Sequence, residues 1–355
     1  MNLADLQPAH TAVTVRPLGD LPSDSQRWES FVFACPDATF FHRIGWRDIF
    51  ENTFHHRTHY LLAERGDQIV GVLPLVQMKS WLFGHALVSL PFAVYGGAAA
   101  VDAPARYALH LRAVELGREL GAAHLELRNV TSAEPEWPRQ DLYVTFRKTL
   151  LPQVEANMLA IPRKQRAMVR KGIQRELRSE IDSDTTRFFE LYADNQHRHG
   201  TPAHKRQYFE ALKRVFGEDC ELMTVVNAQG YPVSGVLSFY FRDEVLPYYA
   251  GDLPAARDLA ANDFKYWELM RRACERGRRV FDFGRSKRGT GSFDFKKNWG
   301  FEPAPLHYEY QLFTCDKVPQ NNPSNPKYLR AIETWRKLPS IVVNTIGPML
   351  ARHLG

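Results

Sequence analysis

Cysteine is scarce in this chain of 355 residues, and the four present stand far apart. Cys35, Cys220, Cys274 and Cys315 form no CxxC pair and no zinc spacing. That argues against a disulfide framework and reads as reduced thiols in a cytoplasmic protein. The stretch 1–20 lacks a basic start followed by an apolar run, so no signal peptide is expected. Long apolar runs are also missing, with one exception at 81–101, which has about the length of a membrane span. His85, Ser89, Pro91 and the Tyr95-Gly96-Gly97 turn interrupt it, and it reads as a buried strand followed by a loop. Neither sign of charge dominates, with 46 Lys and Arg against 40 Asp and Glu. A net charge of +6 therefore matters through its position along the chain. There is no GxSxG elbow, no HExxH and no nucleophile triad, so covalent catalysis has no support. Residues 284–290 have the glycine spacing of a P-loop, but Thr290 stands where lysine is required. Gly289-Thr290-Gly291 lacks the third glycine of a dinucleotide fingerprint.

What is present is an alternation of elements. Strand patterns fall at 13–18, 60–64, 69–78, 124–128 and 142–150, and helical patterns at 26–34, 42–52 and 105–120. A long basic helix is expected at 153–178, kinked or restarted at Pro162. The order then repeats, with helices at 186–195, 206–216 and 262–276 and strands at 221–227, 233–241, 245–250, 279–283 and 306–313. The repeat is one of architecture and not of residues. It predicts two α/β domains of one type, each a mixed sheet flanked by helices, over 1–150 and 151–316. A linker rich in Asn and Pro follows at 317–327, then a short helical tail to 355.

Two stretches concentrate cations. The first carries Arg163, Lys164, Arg166, Arg170, Lys171, Arg175 and Arg178 against only Glu176 and Glu180. It reads either as a solvated helix face or as a surface for phosphate or RNA. The second runs from Arg271 to Lys297, and its core is the segment Phe281-Asp282-Phe283-Gly284-Arg285-Ser286-Lys287-Arg288-Gly289-Thr290-Gly291. An aromatic strand expected to end in a glycine-rich basic turn exposes N–H groups and cations together, which suits an anion or a developing oxyanion. His197, His199 and His204 cluster around Gly200-Thr201-Pro202 without a carboxylate or cysteine to complete a metal site, so no metal is expected.

Four segments together resemble the FemAB family of peptidyl and acyl transferases, and more closely the FemAB-like proteins of exosortase and exopolysaccharide gene clusters. They are Ser89-Leu90-Pro91-Phe92-Ala93-Val94-Tyr95-Gly96-Gly97, residues 161–171 with Ile161-Pro162-Arg163-Lys164, His199-Gly200-Thr201-Pro202, and residues 281–302. The resemblance spans about residues 13–313. It implies two tandem GNAT-type domains and N-acyl transfer. It also implies that Phe295 and Lys296 take the places of the family's Phe-Lys pair, the lysine stabilising the tetrahedral oxyanion. The chain departs from its relatives in lacking a coiled-coil insertion. Ser286 also stands at the first position of the usual acetyl-CoA signature, although Gly289 and Gly291 fit it.

The expected activity is transfer of an acyl or aminoacyl group to an amine, or a hydroxyl, of a cell-envelope glycan, exopolysaccharide or peptidoglycan precursor. No cofactor is held permanently, and acyl-CoA or aminoacyl-tRNA serves as donor. Arg166, Arg170, Lys171 and Arg285 are the candidates for phosphate or pyrophosphate groups. Tyr95, Tyr249 and Asp252 are the candidates for acceptor contacts. Asp252, Asp263 and His199 are the candidate bases. Two other readings stand beside this one. One is a non-catalytic RNA-binding protein acting through the basic helix. The other is a membrane-surface scaffold, whose tail with Val342, Val343, Ile346, Met349 and Leu350 suits either peripheral contact with the inner membrane or packing onto the domains. No DNA partner is expected.

Overall fold

Most strand pairings among the described residues are antiparallel, and one parallel pair in each unit organises the rest. The computed structural model describes residues 12–81, 84–319 and 326–353. The linker positions 320–325 and the leader positions 1–11 lie outside the described residues. The chain forms two units: Met1–Arg47, His56–Pro138 and Glu309–Lys317 make one, and Asp48–His55, Arg139–Tyr308 and Val318–Gly355 the other. The units are not consecutive in sequence as expected. The strand Tyr143–Thr149 belongs to the second, and the chain returns to the first at Glu309.

In the first unit, Val13–Pro17, Leu61–Arg65, Gln68–Leu73 and Ala99–Ala100 form one antiparallel sheet. Arg57–Thr58, Val76–Ser80, Gly84–Val88 and His124–Asn129 are neighbours in another. The single strand expected at 69–78 is therefore two strands in two sheets, broken at Pro74, which has no N–H for a ladder. Helix Ala103–Glu119 starts where the Asp102 carboxylate accepts the Ala105 N–H at 2.9 Å. Its buried Leu109 and Ala113 pack on Leu61, Leu87 and Leu125. Gly84–Val88 and His124–Asn129 run parallel, with this helix between them in the chain. The helix expected at 42–52 is instead three short turns, a 3-10 turn Phe40–His42, one α turn Gly45–Asp48 and a π turn Ile49–Thr53.

The second unit holds a seven-stranded sheet. Its order is Arg178–Asp182, Cys220–Val226, Pro232–Phe241, Glu244–Asp252, Val280–Lys287, Tyr143–Thr149, Pro303–Pro305. Every pairing is antiparallel except that of Glu244–Asp252 with Val280–Lys287. Alternation along Pro232–Phe241 sends Val236 and Tyr240 into the core beneath helix Ala261–Glu275. A Cβ on Gly235 would meet Leu191 of helix Thr186–His199, so that helix covers the other face. Trp267, Phe281, Phe283 and Trp299 fill the first of these layers. Burying side chains of this size contributes about 1.5–3 kcal/mol each.

The long basic helix expected at 153–178 is two helices, Val154–Ala160 and Arg163–Gln174, separated at Ile161-Pro162. Glu176 then takes a left-handed conformation, and Arg178 opens a strand. Helix Arg163–Gln174 buries Val169 and Gly172. A Cβ on Gly172 would stand 2.8 Å from Phe264, so this helix lies close against Ala261–Glu275.

Candidate active site

The two parallel strands of the second unit pair only at their starts, Glu244 with Val280 and Val245 with Phe281. Beyond these residues they share no ladder, and the strand Val280–Lys287 continues as a partner of Tyr143–Thr149 alone. Its ladder is shifted between Phe146 and Arg147, because Phe146 faces Gly284 while Arg147 faces Asp282. Phe283 is the extra residue of a β-bulge. Gly284 holds φ +66, a value that glycine adopts without strain. Asp282, fully buried, pins the bulge by accepting the Gly284 N–H at 2.8 Å and Arg147 at 3.1 Å. Arg147 also meets Glu244, whose carboxyl is raised chiefly by burial. Sequence reasoning missed this triad, although a carboxylate inside an aromatic strand was a visible signal for it.

The basic segment expected to be a turn is strand through Lys287, and the turn follows at 288–290. Thr290 caps the short helix Gly291–Asn298. Its hydroxyl donates to the Lys287 carbonyl at 2.8 Å and accepts the Phe293 N–H at 3.4 Å. Lys296, in the last turn of that helix, donates to the carbonyls of Phe283, Gly284 and Arg285 at 2.6, 3.1 and 2.9 Å. All three N–H bonds of its ammonium thus end on consecutive carbonyls of the bulge. Burial pushes Lys296 down to about 8, with Asp282 opposing that shift and Arg285 adding to it. Phe295 is half-buried beside Tyr266, Trp299 and Phe283, at 5.5, 5.9 and 6.2 Å between ring centroids.

The candidate bases separate. Asp252, at the end of its strand, pairs at 2.7 Å with Lys265, which is fully buried, and accepts the Ser234 hydroxyl. That carboxylate is committed to an ion pair. Asp263, in the first turn of helix Ala261–Glu275, accepts the Trp299 indole N–H at 2.9 Å, and burial raises its carboxyl above the usual range. His199 is exposed at the end of its helix, with Nδ1 2.7 Å from the Asn195 carbonyl.

Tyr249 belongs to an aromatic group with Tyr192, His204, Tyr208 and Phe209, and its hydroxyl lies 3.0 Å from that of Tyr208. Burial drives the Tyr208 and Tyr249 hydroxyls well above their usual range and His204 down to about 4, so His204 is a neutral imidazole at pH 7. The histidine-rich loop therefore contributes His204, and not His199, to this group. Tyr95 lies in the first unit and is a core residue, 1% exposed, with its ring 6.1 Å from Phe41. Its burial does not suit the acceptor contact expected of it. Arg170 is exposed and Lys171 and Arg166 are partly so. Among the described residues none of the three meets a carboxylate, and Arg166 donates to the Leu159 carbonyl at 3.2 Å.

The family model described as an acetyltransferase (GNAT) domain matches residues 161–297, the span that ends just past Lys296. No curated protein matches the chain. Among solved structures, FemX is similar with a TM-score of 0.63 at 15% identity, covering 82% of this chain and 96% of its own. The C-terminal domain of a putative lysylphosphatidylglycerol synthetase from Agrobacterium fabrum gives 0.56 at 13% identity, covering 91% and 96%. A tandem GNAT protein from the clavulanic acid biosynthesis pathway gives 0.52 at 13% identity, covering 86% and 100%. These likenesses show the fold, a tandem of GNAT-like mixed sheets flanked by helices, and the matched span is similar to an acetyltransferase (GNAT) domain.

Proposed function

We propose that the chain is an N-acyl- or aminoacyltransferase of the FemAB type, acting on an amine, or a hydroxyl, of a cell-envelope glycan, exopolysaccharide or peptidoglycan precursor. The observation that carries this reading is the Lys296 ammonium, anchored on three carbonyls where two parallel strands part company, inside the matched GNAT span. The acceptor nitrogen attacks the acyl carbon and forms the C–N bond. The carbonyl oxygen becomes an oxyanion, and Lys296 gives up one of its three carbonyl contacts to donate to it. Collapse of the tetrahedral intermediate breaks the bond to the leaving group and expels a thiolate or a ribose oxygen. Asp263, its carboxyl raised by burial, receives the proton of the attacking amine. Phe295 walls the site beside Tyr266. Asp252 holds the end of its strand to helix Ala261–Glu275 through Lys265.

The GNAT match supports acyl-CoA as donor. The name of the lysylphosphatidylglycerol synthetase neighbour favours an aminoacyl group as the second candidate. The test is single-turnover transfer with a panel of acyl-CoAs and charged tRNAs, using wild type and Lys296→Ala. Transfer by the wild type that falls in the variant supports the reading. Transfer that is equal in both removes Lys296 from the chemistry, and none in either removes the reaction.

The tail forms helices Pro326–Lys337 and Ser340–Ala351. A Cβ on Gly347 would stand 3.3 Å from Trp335 and 3.5 Å from the Ala203 backbone, so the packing reading of the tail has a contact behind it. Among the described residues, no helix is long and apolar enough to cross a membrane.

A further inference from the structure

Arg285 differs from the ion-paired guanidiniums of the second unit. Arg147 meets Glu244 and Asp282, Arg187 meets Glu180 and Asp182, and Arg272 and Arg276 meet Glu221. Among the described residues no carboxylate meets Arg285. Its Nη1 donates to the Tyr308 hydroxyl at 3.1 Å, and its guanidinium lies 4.7 Å from the Tyr143 ring centroid and 5.9 Å from that of Tyr308. The strand register sets Arg285 opposite Thr145 and Lys287 opposite Tyr143, so both cations leave the same face of the sheet. The Lys287 ammonium lies 5.6 Å from the same Tyr143 ring. Burial, with Arg285 adding to it, pushes Lys287 down to about 8. The Arg285 guanidinium, drawn partly out of water without a carboxylate, pays for desolvation, and ring faces return only part of that cost. A planar guanidinium has N–H bonds in a fixed fork, the shape that receives a carboxylate or phosphate through two parallel bonds.

We propose that Arg285, Lys287, Tyr143 and Tyr308 form a binding site for an oxyanion group, a carboxylate or a phosphate, of the small molecule on which the transferase acts. The identity of that molecule rests on the transferase reading, but the oxyanion site does not. Because Lys296 holds the Arg285 carbonyl at 2.9 Å, the anion fixed by the Arg285 side chain is anchored on the residue next to the bulge. The site orients the ligand and takes no part in bond making.

The test uses the full chain at pH 7 and constant ionic strength, titrated with inorganic phosphate, with acetate, and with chloride as the control. Thermal unfolding and calorimetric heat are followed for wild type, Arg285→Gln, Arg285→Lys and Tyr308→Phe. The expected result is a saturable rise in the wild-type midpoint with phosphate, acetate or both, and none with chloride. Arg285→Gln loses at least tenfold in affinity, while its midpoint without added anion equals or exceeds that of wild type, because a half-buried cation lacking a carboxylate has been removed. Arg285→Lys falls between the two, since an ammonium has no fork. Tyr308→Phe weakens binding several-fold and serves as the reading should Arg285→Gln not fold. A response to phosphate alone assigns a phosphorylated ligand, and a response to acetate alone a carboxylated one. Two results overturn the proposal: a wild type that binds neither probe, or binding left unchanged in Arg285→Gln and Tyr308→Phe. Neither probe is an acyl compound, so failure here is distinct from failure of the turnover assay.

Discussion

Each unit contains two parallel strands joined through a helix, and each returning strand carries an arginine near its end. In the first unit that residue is Arg128, and in the second it is Arg285. Arg128 is 3% exposed and fully partnered. Its side chain donates to Glu126 at 2.7 Å and to the Ala93 carbonyl at 2.9 Å, and its own carbonyl accepts the Gly96 and Gly97 N–H groups at 3.1 and 3.0 Å. The Ser89-to-Gly97 segment thus closes the end of that strand with backbone. In the second unit the corresponding carbonyls are met by the Lys296 ammonium, and the arginine side chain meets tyrosines with no carboxylate. One arginine is spent on holding a loop. The other gives one donor to a tyrosine hydroxyl and meets no carboxylate, and the comparison teaches where a ligand should be sought.

The difference can be broken most severely on the first side. Arg128→Ala leaves the half-buried Glu126 carboxylate and the Ala93 carbonyl without their buried partner, and the expected loss is about 3 kcal/mol of stability. Urea unfolding reads it, and a loss no larger than that of Arg285→Gln would erase the contrast. On the second side, Lys296→Ala is expected to slow acyl transfer by about 10²–10³, roughly 3–4 kcal/mol, as for loss of one oxyanion donor. Lys296→Arg should recover only part of this, because a guanidinium cannot place three N–H bonds on one turn of carbonyls. Gly97→Ala sharpens the first side again. The new Cβ would stand 1.8 Å from the Asn129 amide oxygen, and the forced shift is expected to cost about 1–3 kcal/mol, read as a lowered midpoint.

A pH profile makes a smaller but signed prediction. Lys296 has its pKa lowered to about 8, so its ammonium is present below that value and lost above it. The transfer rate should therefore fall as pH rises through about 8. Lys296→Arg should remove that descending limb. Lys287→Arg should leave it in place, which separates the two lysines lowered to the same value.

The smallest expected effect concerns the two basic stretches. Around helix Ala261–Glu275 the cations are neutralised: Arg271 by Glu268 and Glu275, Arg272 and Arg276 by Glu221, and Arg279 by Asp243. On helix Arg163–Gln174, Arg163, Lys164, Arg170 and Lys171 have no carboxylate partner among the described residues. Arg170→Gln should lower heparin or tRNA affinity and its salt slope by about one charge, and Arg279→Gln should change neither.

The same contrast shows how far the sequence could be read. The two-fold α/β order, the helix at 262–276 and the importance of 281–302 were legible, because periodicity and residue type carry them. The fate of the cations was not. Arg272 and Arg170 look alike in a list of charges, and only the fold brings Glu221 to one of them, whereas the Glu268 and Glu275 partners of Arg271 stand within one helical turn of it. Lys296 was singled out through resemblance, yet its partners are three carbonyls, and backbone atoms leave no signature in residue identity. The turn assigned to Gly284-Arg285-Ser286-Lys287 was strand because a glycine and two cations mask the alternation that an edge-on reading needs. Asp252 looked like a base because Lys265, thirteen residues away, lies on a different element.

The bulge at Phe283-Gly284 carries one more consequence, which concerns insertions and deletions and not substitutions. In strict alternation Phe281, Phe283, Arg285 and Lys287 would all project from one side of their strand. The extra residue reverses that parity midway, so Phe281 shares the side of Phe146 and Val144 while Arg285 and Lys287 share that of Thr145 and Tyr143. Deleting Gly284 would remove one of the three carbonyls that hold Lys296 and, by restoring strict alternation, turn both cations into the aromatic layer. A catalogue of point variants would pass over this dependence, and a one-residue deletion would expose it at once.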